Sequence, residues 1–123
     1  MSALLVTAAV LAVGVGIAHS TLGERYILVR LLRRENLPRL FGTDLWTKRI
    51  LRFAWHLTTI AWFGFAAVLV VLASEPESPG GRVGIVIAVT FAFSATVTAA
   101  SSRLRHPAWV VFLAIAVLAW IGS

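Results

Sequence analysis

Four stretches of this chain contain no Asp, Glu, Lys or Arg: Met1 to Gly23, Phe53 to Ser74, Val83 to Ser102, and His106 to Ser123. A hydrocarbon layer of about 30 Å is crossed by roughly 20 helical residues, with about 17 as the practical minimum, so all four qualify, the last narrowly. Lipid offers no partner to an open strand's backbone groups, and no stretch shows the alternation of a transmembrane barrel. The expected fold is all-α: an integral membrane four-helix bundle forming one transmembrane domain over residues 1–123. Its spans are expected at about 2–20, 50–73, 83–102 and 107–122.

Composition supports this reading. With 59% apolar and 13% charged residues, the chain has too little polar surface to coat a water-soluble globule. The formal charge of +6 comes mainly from the segment Thr21 to Arg52, which holds Arg25, Arg30, Arg33, Arg34, Arg39, Lys48, Arg49 and Arg52. These cations flank apolar spans, which favours a bilayer with anionic lipid headgroups over nucleic acid as the partner. Without cysteine, disulfides, thiolate metal sites and cysteine nucleophiles are excluded.

Lys and Arg near span ends stay on the cytoplasmic side. The basic segment and Arg103-Leu-Arg105 are therefore expected inside, and the turn Glu75-Pro-Glu-Ser-Pro-Gly-Gly-Arg82 outside. A multi-pass protein of the inner (cytoplasmic) membrane with both termini outside follows. The first span lacks a preceding cation and a small-x-small cleavage pattern, so it is expected as an uncleaved helix.

Thr21-Leu-Gly-Glu24 has the spacing of a capping box, which predicts a new helix start. Ile27, Leu28, Leu31 and Leu32 share one face and Arg30, Arg33 and Arg34 the other. A short amphipathic helix lying in the headgroup plane is expected over about 22–35, ended by Pro38. Small residues recur every four positions at Ala8, Ala12, Gly16 and Ser20, and at Gly84, Ala88, Ala92, Thr96 and Ala100. Such ladders let lipid-immersed helices approach closely, within one chain or in a homo-oligomer. The hydroxyls of Thr90, Ser94, Thr98 and Ser101 are expected to bond their own or a neighbouring helix. Trp46, Trp55, Trp109 and Trp120 fall near the interfaces, as belt residues do.

This topology brings all three histidines to one side: His19 at the end of span one, His56 a turn inside span two, and His106 before Pro107 at the head of span four. Glu24 and Thr59 lie within reach of the same region. Neutral imidazoles ligate transition metals, and three protein ligands leave a position for water or substrate. His19, His56, His106 and Glu24 are thus the candidate metal set for Zn, Fe or Cu, or for a single haem between two of the histidines. Glu24 and Arg52 are the candidate catalytic residues, as acid/base and anion-orienting group. The competing expectation is a hydrogen-bonded polar cluster that organises the helix ends, with His106 as a cap. No pair has local metal-site spacing, so convergence depends on tertiary structure. Arg49 and Arg52 offer guanidinium forks for phosphate or carboxylate, or snorkel to lipid.

The motifs His19-Ser-Thr-Leu-Gly-Glu24, Arg52-Phe-Ala-Trp-His56 and His106-Pro107 resemble those of small uncharacterised bacterial four-transmembrane-helix proteins. The resemblance implies that the three motifs belong together and implies no activity. Small multidrug transporters carry a first-helix Glu that this chain lacks. Fluoride channels follow a Gly-rich first-helix motif with Arg, where Gly14-Val-Gly16 is followed here by His19. Three functions remain open: metal-dependent catalysis or redox, a homo-oligomeric transporter or channel lined by Thr90, Ser94 and Thr98, and an accessory subunit of a larger membrane complex.

Overall fold

The computed structural model describes residues 3–74, 79–121 and 123, and among these its regular elements are all helices, with one isolated bridge between Leu40 and Thr43 in a connecting segment. Helix α1 covers Ala3–Leu22, α2 Leu45–Ser74, α3 Gly80–Ser102 and α4 Ala108–Ile121. Three apolar helices are long enough to cross a membrane, namely α1 with its extension to Leu31, α2 and α3. The fourth, at 14 residues, is shorter than expected. At about 1.5 Å per residue it rises about 21 Å over its described residues.

Each helix packs chiefly on its chain neighbour, α1 on α2, α2 on α3 and α3 on α4. The outward faces are left bare: Leu11, Leu118 and Ile121 are 67, 70 and 76% exposed. In water such faces would drive aggregation, and in lipid they are matched to their solvent.

The separate interfacial helix expected over about 22–35 is not formed. Instead α1 continues without a break through a π-helical segment, Gly23–Leu28, into one further α-helical turn, Val29–Leu31. The reason lies in the supposed capping box. Thr21 Oγ1 donates to the carbonyl of Ile17 four residues back, at 2.8 Å, as a residue inside a helix does. Glu24 bonds residues of α2 and does not reach back to Thr21. With both box members engaged elsewhere, nothing restarts the helix. The chain then turns at Leu40 to Thr43, where Phe41 and Gly42 have φ of 56° and 80° and Phe41 is 91% exposed.

The two small-residue ladders differ in outcome. In α1, Gly16 is buried and Ala8, Ala12 and Ser20 are half-buried. A Cβ on Gly16 would stand 2.8 Å from the Phe63 ring, so this ladder does allow a close approach to α2. In α3 only the upper part faces inward, since Ala88 is buried while Ala92, Thr96 and Ala100 are exposed. Four residues advance a helix by about 400°, so a strict four-residue ladder drifts about 40° per step and leaves the seam. The buried stripe is Ala88, Ala95 and Ser102, seven apart, flanked by Ser94 and Thr98.

Candidate functional site

One polar cluster spans the α1–α2 interface near the end where α1 turns π-helical. Arg52, Thr59 and His56 share a face of α2 by their spacing of three, four and seven, and Ser20 and Glu24 share a face of α1 by a spacing of four. The contact between these faces forms a continuous array. Arg52 Nη2 lies 2.8 Å from Glu24 Oε1, and Glu24 Oε2 lies 3.2 Å from His56 Nε2. On the other side of the ring, His56 Nδ1 is 2.9 Å from Ser20 Oγ, which is 2.6 Å from Thr59 Oγ1. The array ends at the carbonyl of Gly16, 3.4 Å from Thr59 Oγ1.

The array runs from wet to dry. Side chains of Arg52, Glu24 and His56 are 51, 35 and 32% exposed, whereas Thr59 is buried. Proton counting fixes one consistent pattern for neutral His56. Nε2–H donates to Glu24, Nδ1 accepts from Ser20, and Ser20 accepts from Thr59, whose 3.4 Å contact with Gly16 is too long to compete. Arg52 holds the carboxylate in place with its guanidinium.

Two features of the backbone make this approach possible. Gly23 opens the π-helical segment, and any Cβ there would collide with the Trp55 indole. Inserting a π turn re-aims the side chains that follow it, and Glu24 is the next residue. Trp55 Nε1 donates to the carbonyl of His19 at 3.0 Å, tying α2 to α1 beside the array. Trp55 is thus a cross-helix contact as well as a residue of the predicted belt.

The expected histidine set is only partly assembled. His56 and Glu24 come together, while His19 and His106 have separate partners. His19 stacks on Trp55, with centroids 4.5 Å apart and planes at 4°, and is tilted against Trp62 at 4.9 Å. Successive helical residues point about 100° apart, so His19 and Ser20, like Trp55 and His56, occupy different flanks of one seam. The Nε2 atom of His19 is buried with no hydrogen-bond partner. His106 Nδ1 accepts from the amide of Ala108 at 3.3 Å, capping α4, and its ring meets Phe53 edge-on at 5.5 Å. Among the described residues, no group of three or more His, Asp or Glu side chains gathers in a way that could hold a metal ion.

Ser20 is the member of the array that sequence reasoning assigned to another role, as a small rung of the α1 ladder. Its signal was present in the four-residue spacing to Glu24, which pairs a hydroxyl and a carboxylate on one face. The hydroxyls of α3 follow the local alternative. Thr90 donates to Val86, Ser94 to Thr90 and Ser102 to Thr98, each to a carbonyl four residues back.

The chain matches no protein-family model, no curated protein and no solved structure. The geometry of the array is therefore the basis for a functional reading.

Proposed function

We propose that this multi-pass membrane protein, with its basic loop on the cytoplasmic side and both termini outside, is a hydroxyl-nucleophile enzyme acting on a membrane-dissolved ester. Ser20 is the nucleophile, His56 the base and Glu24 the group that orients and charges the imidazole, with Arg52 holding Glu24. The observation that carries this reading is the bonding of both His56 ring nitrogens, one to a hydroxyl at 2.9 Å and the other to a carboxylate at 3.2 Å. That is the arrangement which activates a serine: nucleophile, base and orienting group in series.

In the reaction, Ser20 Oγ attacks the ester carbonyl carbon while its proton passes to His56 Nδ1. Glu24 at Nε2 stabilises the resulting imidazolium. Collapse of the tetrahedral adduct breaks the bond to the leaving alkoxide, which takes the proton from Nδ1. Water, deprotonated by His56, then hydrolyses the acyl-Ser20 and restores both groups. His56 and Glu24, each about a third exposed, give water its access. Among the described residues the array runs no further into the apolar seam than Thr59 and Gly16, which favours local proton exchange over conduction across the bilayer. The metal or haem reading draws no comparable support, because among the described residues His19 and His106 do not gather with His56 and Glu24 into one set of ligands.

The test is covalent labelling of purified, detergent-solubilised protein with a fluorophosphonate probe, mapped by peptide mass spectrometry. Modification at Ser20 is expected, absent in Ser20→Ala and slowed about 10²-fold or more in His56→Gln. No modification at Ser20, or modification indifferent to His56→Gln, would overturn the proposal.

A further inference from the structure

Beside the array, where the extension of α1 meets the first turns of α2, lies a cleft of about 530 Å³. Its lining combines two chemistries. Arg33, Lys48, Arg49 and Arg52 supply four cations, and Leu32 and Phe53 are among its apolar walls. No acidic residue lines it.

Two of the cations already have partners, Lys48 with Asp44 at 2.7 Å and Arg52 with Glu24 at 2.8 Å. Arg33 and Arg49 make no ion pair among the described residues. Two guanidiniums, one from each wall, thus face a shared volume without an anion. Like charges converge at a cost that an anionic ligand removes, and the guanidinium fork matches the oxygens of a phosphate. The volume falls in the range of ligand pockets and far exceeds that of a single ion. The apolar walls suit a group that continues into hydrocarbon, and the cleft stands at the end of two membrane-length helices.

We infer that this cleft is a binding site for the phosphate headgroup of an anionic phospholipid, with Arg33 and Arg49 as its principal ligands. The inference does not depend on Ser20 chemistry and shares only Arg52 with it. A lipid held here would keep its headgroup next to the array, so the same site would serve a phospholipid substrate or a tightly held structural lipid.

Native mass spectrometry of the full chain released from detergent tests it, with phosphatidylglycerol and phosphatidylcholine of identical acyl chains supplied in equal amounts. Phosphatidylglycerol adducts are expected to exceed phosphatidylcholine adducts by about tenfold or more, since the choline cation of phosphatidylcholine offsets its phosphate charge and is repelled by the cations of the cleft. Arg33→Gln/Arg49→Gln should abolish the preference. Arg30→Gln/Arg34→Gln, which removes the same charge from the same segment outside the cleft, should preserve it. Excess inorganic phosphate should leave the lipid adduct in place. Equal retention of both lipids, equal loss in both double variants, or displacement by inorganic phosphate alone would each overturn the inference. Should Arg33→Gln/Arg49→Gln fail to fold, the lipid preference and the phosphate arm of the unsubstituted protein decide the matter. Absence of fluorophosphonate labelling at Ser20 would leave these readouts unchanged, so the two proposals fail separately.

Discussion

The α1–α2 seam and the α3 helix both carry threonine and serine inside the molecule, but they use them differently. Ser20 and Thr59 bond across helices, to each other and to His56. Thr90, Ser94 and Ser102 bond the carbonyl four residues back in their own helix. A hydroxyl that returns to its own backbone is satisfied whether or not a neighbour is present. One that reaches across a seam is satisfied only in the assembled fold. The difference arises from what stands opposite: α2 presents a ring nitrogen to Ser20, whereas among the described residues no such group bonds the hydroxyls of α3.

The largest test of that contrast concerns how closely the helices must meet. Gly23→Ala places a methyl group into the rigid Trp55 indole, which is itself anchored to the His19 carbonyl. A loss of about 2–3 kcal/mol is expected from equilibrium unfolding in mixed micelles. Gly14→Ala, in the same helix with open space around its would-be Cβ, should be neutral or stabilising by less than about 1 kcal/mol. Equal effects at the two positions would mean that the α1–α2 approach is looser than the geometry gives.

A smaller effect with a sign reversal comes from one substitution made in both regions. Thr59→Val removes a cross-helix partner of Ser20 and should cost about 1 kcal/mol, the scale of hydrogen bonds within membrane bundles. Thr98 is fully buried and its hydroxyl has no hydrogen-bond partner, so Thr98→Val should be neutral or stabilising by about 0.5–1 kcal/mol. The same unfolding assay reads both. Destabilisation by Thr98→Val would show that its hydroxyl has a partner in the membrane, and would bring the two regions closer in kind.

Ser20→Ala tests what the array is for. As part of a brace alone, Ser20 would contribute about 1 kcal/mol, as Thr59 does, and no reagent would find it. As a nucleophile it gives that stability change together with the loss of fluorophosphonate labelling. The chemical readout separates the two because activation requires His56 and bracing does not require a reactive oxygen.

Much of this arrangement was readable from residue order, and the part that was not has a physical cause. Charge-free runs set the number and approximate limits of the helices, since lipid penalises every interruption by charge. Spacing also placed Glu24, Arg52, His56 and Thr59 near one another. The interfacial helix failed as an expectation because a capping box is a local motif, and its Glu24 has stronger partners in Arg52 and His56. His19 and His106 were grouped with His56 by depth along the helices. Rotation about the helix axis decides contact, and it sends His19 to Trp55 and leaves His106 capping α4. The α3 ladder shows the same limit, a sequence period of four being out of phase with the helix over several turns.

The smallest expected effect lies at the entrance to α2, where a charge perturbation is local and the pair is partly open to solvent. Lys48 donates a side-chain hydrogen bond to Asp44, one turn earlier, and holds its carboxyl below the usual carboxylate value against a weaker opposing effect of burial. With the folded value depressed, the stability this pair contributes is fully present above the unfolded carboxylate value and is lost as pH falls through the folded one. Melting curves of wild type and Asp44→Asn should therefore differ slightly above the ordinary carboxylate range and converge below it. Because the pair is exposed, the difference should also shrink in high salt, as an exposed ion pair requires. A difference that persists at low pH, where neither side chain is charged, would show that the Asp44 side chain acts through something other than charge, since the backbone bond from the Lys48 amide to the carbonyl of residue 44 is common to both proteins.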